Sequence, residues 1–314
     1  RPEQLHGYPA VEPDVGSDLV VTKLSANGTV LIASTFLGGT GNDGLKLLNI
    51  GLNHNYADQF RGEIVVDNNG DCYIASCTKS NNFPTITAFQ PALQGTQDGI
   101  ICKLSGDLTA MLYGSYLGGT NDEAAYSVQL NAANEAYIAG GTGSSDFPVT
   151  AGVIQPIYGG AIDGFLTHIS STGSMMNSTY MGTSAYDQCY NVQLDNSNTP
   201  YVFGQTRGAY PVSGGVYSNP NSGQFIHKLN STLSTTGFST VFGRGLAGQI
   251  DIVPTAFLVD VCGYIYAAGW GGAAAGVPGH VATRAVSSWL LDGDAALVLV
   301  FALIGFPGRG RKGF

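Results

Sequence analysis

Leu37-Gly38-Gly39-Thr40 returns as Leu117-Gly118-Gly119-Thr120, then in reduced form as Met181-Gly182-Thr183, with a weaker echo at Phe242-Gly243-Arg244-Gly245. An aromatic residue stands at a fixed place in each copy: Phe36, Tyr116, Tyr180 and Phe242. A chain that repeats itself is constrained first by its period, because each unit must bury its apolar faces against the next.

The units restart at Asp18-Leu19-Val20-Val21-Thr22-Lys23-Leu24, Asp98-Gly99-Ile100-Ile101-Cys102-Lys103-Leu104, Asp163-Gly164-Phe165-Leu166-Thr167-His168-Ile169 and Gln224-Phe225-Ile226-His227-Lys228-Leu229. Restart positions 18, 98, 163 and 223 lie 80, 65 and 60 residues apart, and the first interval contains an insertion at 45–61 with no later counterpart. Each period holds four short runs rich in β-branched and aromatic residues. Glu63-Ile64-Val65-Val66-Asp67, the turn Asn68-Asn69-Gly70-Asp71 and Cys72-Tyr73-Ile74-Ala75-Ser76 form one hairpin signal. Pro84 and Pro91 set the next stretch outside a central strand.

Four antiparallel strands per unit is the requirement of a propeller blade, whereas a solenoid of parallel strands repeats nearer roughly every 20–30 residues. The expectation is an all-β chain, a β-propeller of four-stranded antiparallel blades over residues 18–272. Three fairly complete repeats carry partial ones at each end, a number that need not close a ring. Residues 1–17 read as a linker or the end of a preceding repeat, since Tyr8-Pro9 matches the later aromatic-Pro pairs. Residues 45–61 read as an extended loop between strands of a blade and a contact surface. Residues 273–314 read as a divergent C-terminal tail.

Hydrophobic residues make up 44% of the chain and charged residues 11%, with 45 glycines. That permits a large core and suits strands and tight turns rather than long solvated helices. The net charge is −9, and the repeats carry no basic stripe, so nucleic acid is not an expected partner. Cys72, Cys77, Cys102, Cys189 and Cys262 are irregularly spaced without a CxxC, which argues against zinc. Cys72 and Cys77 lie five apart on one strand and should face opposite sides. The apolar run from Ala295 to Phe306, followed by Arg309, Arg311 and Lys312, is shorter than the roughly 20 residues needed to span a bilayer, so membrane association of the tail is not expected. The chain opens Arg1-Pro2-Glu3 without a leader and reads as an internal fragment.

The aromatics Phe36, Tyr116, Tyr180, Phe242, Tyr73, Tyr137, Tyr201 and Tyr266 are expected to fill the space between blades rather than offer a stacking platform for sugars. The glycine pairs are expected to supply positive φ and close backbone approach. Asp67-Asn68-Asn69-Gly70-Asp71 clusters oxygens as a calcium loop does, but it lacks the length and the distal bidentate carboxylate, and it reads as a hairpin turn. Asp18, Asp98 and Asp163 each open a strand, a structural role. His6, His54, His168, His227 and His280 are scattered, and His168, in register with Lys23 and Lys103, reads as a surface repeat position. No Gly-x-Ser-x-Gly elbow, phosphate loop or His-Glu-x-x-His occurs, and Ser145-Asp146-Phe147-Pro148 is not a sialidase box. A carboxylate pair for glycoside hydrolysis could come together only through folding. No catalytic, cofactor-binding or metal-binding residue is assigned.

The order Asp-x-x-x-x-Lys-Leu-Ser, Ser-Thr-Tyr/Phe-Leu-Gly-Gly, Val-x-Val-Asp-x-x-Gly-x-x-Tyr-Ile-Ala and Ser-x-Asp-Phe-Pro resembles the bacterial β-propeller repeat called the SBBP repeat. Asp18 to Gly39, Glu63 to Pro84, Asp98 to Gly119 and Ser144 to Pro148 carry the resemblance, which covers residues 18–272. The run is similar to large secreted or surface proteins of gliding bacteria with a gliding motility-associated C-terminal domain. The resemblance implies a bacterial extracellular scaffold whose secretion domain lies outside this chain. The functional expectation is a non-catalytic secreted or cell-surface scaffold or binding protein, in adhesion or gliding motility, meeting protein or surface polysaccharide through blade-edge loops. The alternative is a propeller that binds or degrades polysaccharide, and a cation-stabilised module is a third reading.

Overall fold

Along the central strands nearly every residue is apolar or small, so both strand faces are expected to be covered. The computed structural model describes residues 16–46, 51–55 and 58–271, and the backbone of 297–299. Its elements are strands apart from one 3-10 turn at Asp58–Phe60. The expected breakdown of the tail and of residues 1–15 falls outside the described residues.

Strands β1 (Leu19–Leu24) and β2 (Leu31–Leu37) form a two-stranded sheet. Three four-stranded antiparallel sheets follow, each a meander in chain order. The first comprises β3 (Glu63–Val66), β4 (Cys72–Thr78), β5 (Asp98–Leu104) and β6 (Met111–Leu117). The second comprises β7 (Glu123–Leu130), β8 (Ala136–Thr142), β9 (Asp163–Ile169) and β10 (Met175–Met181). The third comprises β11 (Asp187–Leu194), β12 (Pro200–Thr206), β13 (Gln224–Leu229) and β14 (Thr236–Phe242). Strands β15 (Ile252–Val259) and β16 (Ile265–Gly271) are antiparallel, and three residues of β17 (Leu297–Leu299) run parallel to β16. No helix among the described residues is long and apolar enough to cross a membrane.

Period-2 alternation sends neighbouring residues to opposite neighbours. Tyr73 and Ala75 pack with Val128, Ile138 and Phe165 of the next sheet, while Cys72 and Ile74 pack with Val21 and Ala33 of the preceding one. The same exchange joins the second and third four-stranded sheets through Tyr137, Leu166, Val192 and Phe225. It joins the third to β15–β16 through Phe203, Ile226, Phe257 and Ile265. Each sheet thus hides a face of the one before. Cys72 and Cys77 do lie in different clusters, and all five cysteines are free thiols.

The recurring aromatics are interior wherever a neighbouring sheet exists: Tyr73, Tyr116, Tyr137, Tyr180, Tyr201 and Phe242 are buried. Phe36 is the correction. It is 71% exposed, because it stands on the face of β1–β2 that no sheet among the described residues covers.

Candidate functional site

Three polar constellations recur from sheet to sheet, and a fourth occurs once. The first lies where one sheet hands over to the next. Asp98 opens β5 and Glu123 opens β7, and both are fully buried. They converge on Gly118: a Cβ there would lie 2.6 Å from Asp98 Cγ and 2.6 Å from Glu123 Oε2. Asp18 and Asp43 crowd Gly38 in the same way, Asp163 crowds Gly182, and Gln224 with Asp251 crowds Gly243. In each case the residue after that glycine donates its backbone N–H to the second acid. Gly39 reaches Asp43 at 2.8 Å, Gly119 reaches Glu123 at 2.8 Å, Thr183 reaches Asp187 at 2.6 Å and Arg244 reaches Asp251 at 2.7 Å.

This corrects the expected role of the glycine pairs. Gly38, Gly39, Gly118 and Gly119 are not among the positive-φ glycines, whereas Gly243 is, at φ 140°. In the first two copies glycine is required because carboxylates fill the space of a side chain. The following threonine then clasps the aromatic-Pro loop: Thr120 donates its N–H and hydroxyl to Asp146 Oδ1, each at 3.0 Å, and Thr40 does the same to Asn82. The Ser-Asp-Phe-Pro segment is therefore the partner of the glycine motif.

Burial governs the charge state of these acids. Desolvation raises Glu123 to about 8 against the opposing hydrogen bonds from Ser144, Thr142 and Gly119. It raises Asp98 to about 6 and Asp187 to about 6. Asp163 rises to about 7, through desolvation and then, against its amide donors, the nearby Asp187. Two like charges in one dry pocket cannot both form cheaply, so Asp98 disfavours ionisation of Glu123 and Asp187 that of Asp163.

The second constellation is the hairpin turn between the first and second strands of a sheet. Asp67 Oδ1 accepts the N–H groups of Asn69 at 2.9 Å and Asp71 at 3.0 Å, and its Oδ2 accepts from the Tyr73 hydroxyl at 3.2 Å. The Lys103 ammonium lies 3.4 Å from Asp67, 3.1 Å from Asp71 and 4.8 Å above the Tyr73 ring. A lysine, with both carboxylates turned to it, occupies what the sequence offers as a calcium loop. Among the described residues no group of three or more potential metal ligands assembles. Asp195, Tyr201 and Lys228 repeat the arrangement. Burial opposes ionisation of Asp195, yet Thr199 and Lys228 outweigh it and hold the carboxyl at about 2. In the intervening sheet His168 takes the lysine position, stacked on Tyr137 at 4.0 Å and bound to Glu135 at 3.0 Å. His168 is thus buried, and its expected surface position is corrected: the strand register places it under the preceding turn.

In the third constellation, the first strand of a sheet carries a bulge at one register position, at Tyr126 in β7, Tyr190 in β11 and Thr255 in β15. A bulge re-aims its side chain. Tyr126 and Tyr190 stack with centroids 5.3 Å apart.

Against them lies the fourth, the segment 45–61. The expectation of a loop within a blade is corrected: it connects two sheets, β1–β2 to β3. Its described residues Lys46, Leu52 and Asp58 are buried. The Leu52 carbonyl accepts from Tyr126 at 3.1 Å and from Gln188 at 3.2 Å. Asn55 donates to Tyr190 at 2.8 Å and Gln205 at 2.9 Å. Tyr190 donates to Asp58 at 3.0 Å, Arg61 pairs with Asp58 at 2.8 Å, and Arg61 donates to the Pro254 carbonyl at 2.8 Å. One inserted segment therefore ties the first strands of three later sheets together. The polar groups of Leu52, Asn55, Asp58 and Arg61 are consumed internally, because β7, β11 and β12 present tyrosine hydroxyls and glutamine amides that need partners, whereas the buried Lys46 ammonium has no hydrogen-bond partner and lies over the Tyr126 ring.

No protein-family model matches the chain, and no curated protein sequence matches it either.

Proposed function

We propose that the stacked sheets are blades of a β-propeller and that the chain is a non-catalytic scaffold or binding protein of the extracellular or cell-surface kind, engaging protein or surface polysaccharide. One observation carries the reading. The buried acids, the residues an enzyme of this shape would need, recur at successive junctions, and their backbone partners recur with them. A catalytic acid is set apart by its surroundings, with a pKa matched to one reaction and an open route to substrate. Asp98, Glu123, Asp163 and Asp187 are instead fully buried and spent on holding loops. The resemblance of residues 18–272 to SBBP repeats supports the surface location, and adhesion or gliding motility is the process it suggests.

The reading is tested by a glycan array and by hydrolase assays on bacterial and plant polysaccharides with the full chain. The expected result is no turnover. Turnover that disappears in Glu123→Gln or Asp163→Asn, while the fold is retained, overturns the scaffold reading in favour of a polysaccharide-degrading propeller.

A further inference from the structure

The second strands of the three four-stranded sheets end on a common rim whose cations the stacking does not use. The chain leaves those strands as Thr78-Lys79, Thr142-Gly143 and Thr206-Arg207. The positions are equivalent: the N–H groups of Lys79, Gly143 and Arg207 donate to the carbonyls of Asn42, Asp122 and Tyr186 at 2.8, 3.0 and 2.8 Å. The segment 51–55 runs along the same end. A Cβ on Gly51 would lie 3.1 Å from Ile162 Cδ1, one on Gly143 would lie 3.4 Å from that same atom, and His54 lies against Tyr186 and Arg207.

The described arginines differ in what holds them. Arg61 and Arg244 pair with Asp58 and Asp251. Arg207 pairs with no acid among the described residues. Its Nη2 donates to His54 Nε2 at 2.9 Å, and its guanidinium lies 5.8 Å from the Tyr186 ring centroid. A guanidinium only donates, so His54 Nε2 carries no proton and the ring proton sits on Nδ1. Burial, and then the Arg207 charge, lower the His54 pKa and keep the ring neutral. The imidazole is fixed in place. Its ring lies 4.5 Å from that of Tyr186, its backbone N–H donates to Asp58 Oδ2 at 2.9 Å, and the Tyr186 and Tyr190 hydroxyls bond each other at 2.9 Å. Arg207 is exposed and His54 half-buried, and the other guanidinium N–H groups and the Nδ1–H have no partner among the described residues. The ammonium of half-buried Lys79 likewise has neither ion pair nor hydrogen bond among them.

A guanidinium beside a neutral imidazole N–H is a donor set for a planar carboxylate. Two cations at equivalent positions, one sheet apart on either side of Gly143, suit charges spaced along a polymer better than one small anion. The net charge of −9 disfavours a densely sulfated or phosphorylated polymer, which leaves one carboxylate per sugar as the fitting charge density. We infer, resting on the binding-protein reading above, that this rim binds an acidic polysaccharide through its uronate carboxylates. Arg207 and His54 hold one carboxylate, and Lys79 takes another farther along the same polymer. Gly143, without a side chain, keeps the path between them clear.

Titration calorimetry of the full chain with polygalacturonate and with its fully methyl-esterified form tests this. The expected result is binding of the acid form and none of the ester. Arg207→Gln and His54→Phe should each weaken binding about tenfold or more, the loss of a charge-assisted hydrogen bond. Lys79→Gln should weaken binding of the polymer and leave that of monomeric galacturonate unchanged. Lys23→Gln, which removes the same charge at the opposite end of the strands, should change neither. Thermal melting of each variant guards against misfolding. Equal binding of acid and ester overturns the proposal, as does binding indifferent to both Arg207→Gln and His54→Phe. Equally tight binding of dextran sulfate overturns the uronate assignment, since the rim would then be a general anion cradle. Capture of a neutral glycan or a protein without polygalacturonate overturns the rim site and leaves the binding-protein reading standing. Polygalacturonate that is bound and cleaved supports the site and overturns the non-catalytic reading instead.

Discussion

Gly118 shows how a single position carries the fold. Its missing side chain is the space in which Asp98 and Glu123 meet, so Gly118→Ala forces a methyl group against two buried carboxyls. Overpacking of this kind costs about 1–3 kcal/mol. The expected outcome is a lower melting temperature for Gly118→Ala, while Gly214→Ala, with open space around it, leaves melting unchanged. The acids themselves set a pH dependence. Their folded pKa values are raised, so below about pH 4 both folded and unfolded forms are protonated and the contribution to stability is complete. It is lost as pH rises through about 6 for Asp98 and Asp187, about 7 for Asp163 and about 8 for Glu123. Melting scans from pH 5 to pH 8.5 should therefore show falling stability, and Glu123→Gln together with Asp163→Asn should flatten the slope. Stability rising across that range would contradict the carboxyl pairing. The sequence displays the glycine motif and the strand-opening acids plainly. It does not display that they converge on Gly118, because Asp98 and Glu123 are brought together by a strand and its return. The available signal is an acid five residues after the first glycine of the motif, at Asp43, Glu123 and Asp187.

At the scale of elements, strands are the legible part, because alternation and Asn-Gly or Asp-rich turns act within a few residues. The segment 45–61 is legible as an insertion, but its place is not. Its partners Tyr126, Tyr190, Gln205 and Pro254 lie far along the chain, and they reach it from the bulges of β7 and β11, from β12 and from the β15 backbone. Asp58 is its anchor, accepting from His54, Asn55 and Tyr190 and paired with Arg61. Removing one partner of a buried ion pair costs about 3–5 kcal/mol. Asp58→Ala is expected to lower the free energy of unfolding by that order, read as a lower urea midpoint, and a midpoint within error of the parent would show the segment to be dispensable. Lys46 is the opposite case. Burial lowers its pKa to about 8, and its ammonium sits 4.4 Å over Tyr126. Lys46→Met removes a charge that burial disfavours, and it is expected to leave urea stability unchanged or raised by about 1 kcal/mol.

Across the whole molecule, each sheet is stabilised by what its neighbours cover, and the cover thins at the two ends. Phe36, Val20, Ile64 and Val66 are exposed at one end and Leu258 and Val261 at the other, while the middle sheets bury both faces. Stability in such a stack is shared between adjacent units, so the terminal half-sheets should open first. The segment 45–61 adds a contact beyond nearest neighbours, since it reaches from β3 to β11 and β15 without passing through the intervening strands. Hydrogen exchange of the full chain, with and without Asp58→Ala, measures this most directly. The expected result is strong protection in β4, β5, β8, β9 and β12 of the parent, with exchange in β3, β7, β11 and β15 rising together in the variant. An increase confined to residues 51–61 would contradict the account, because the inserted segment would then be a passenger on the stack.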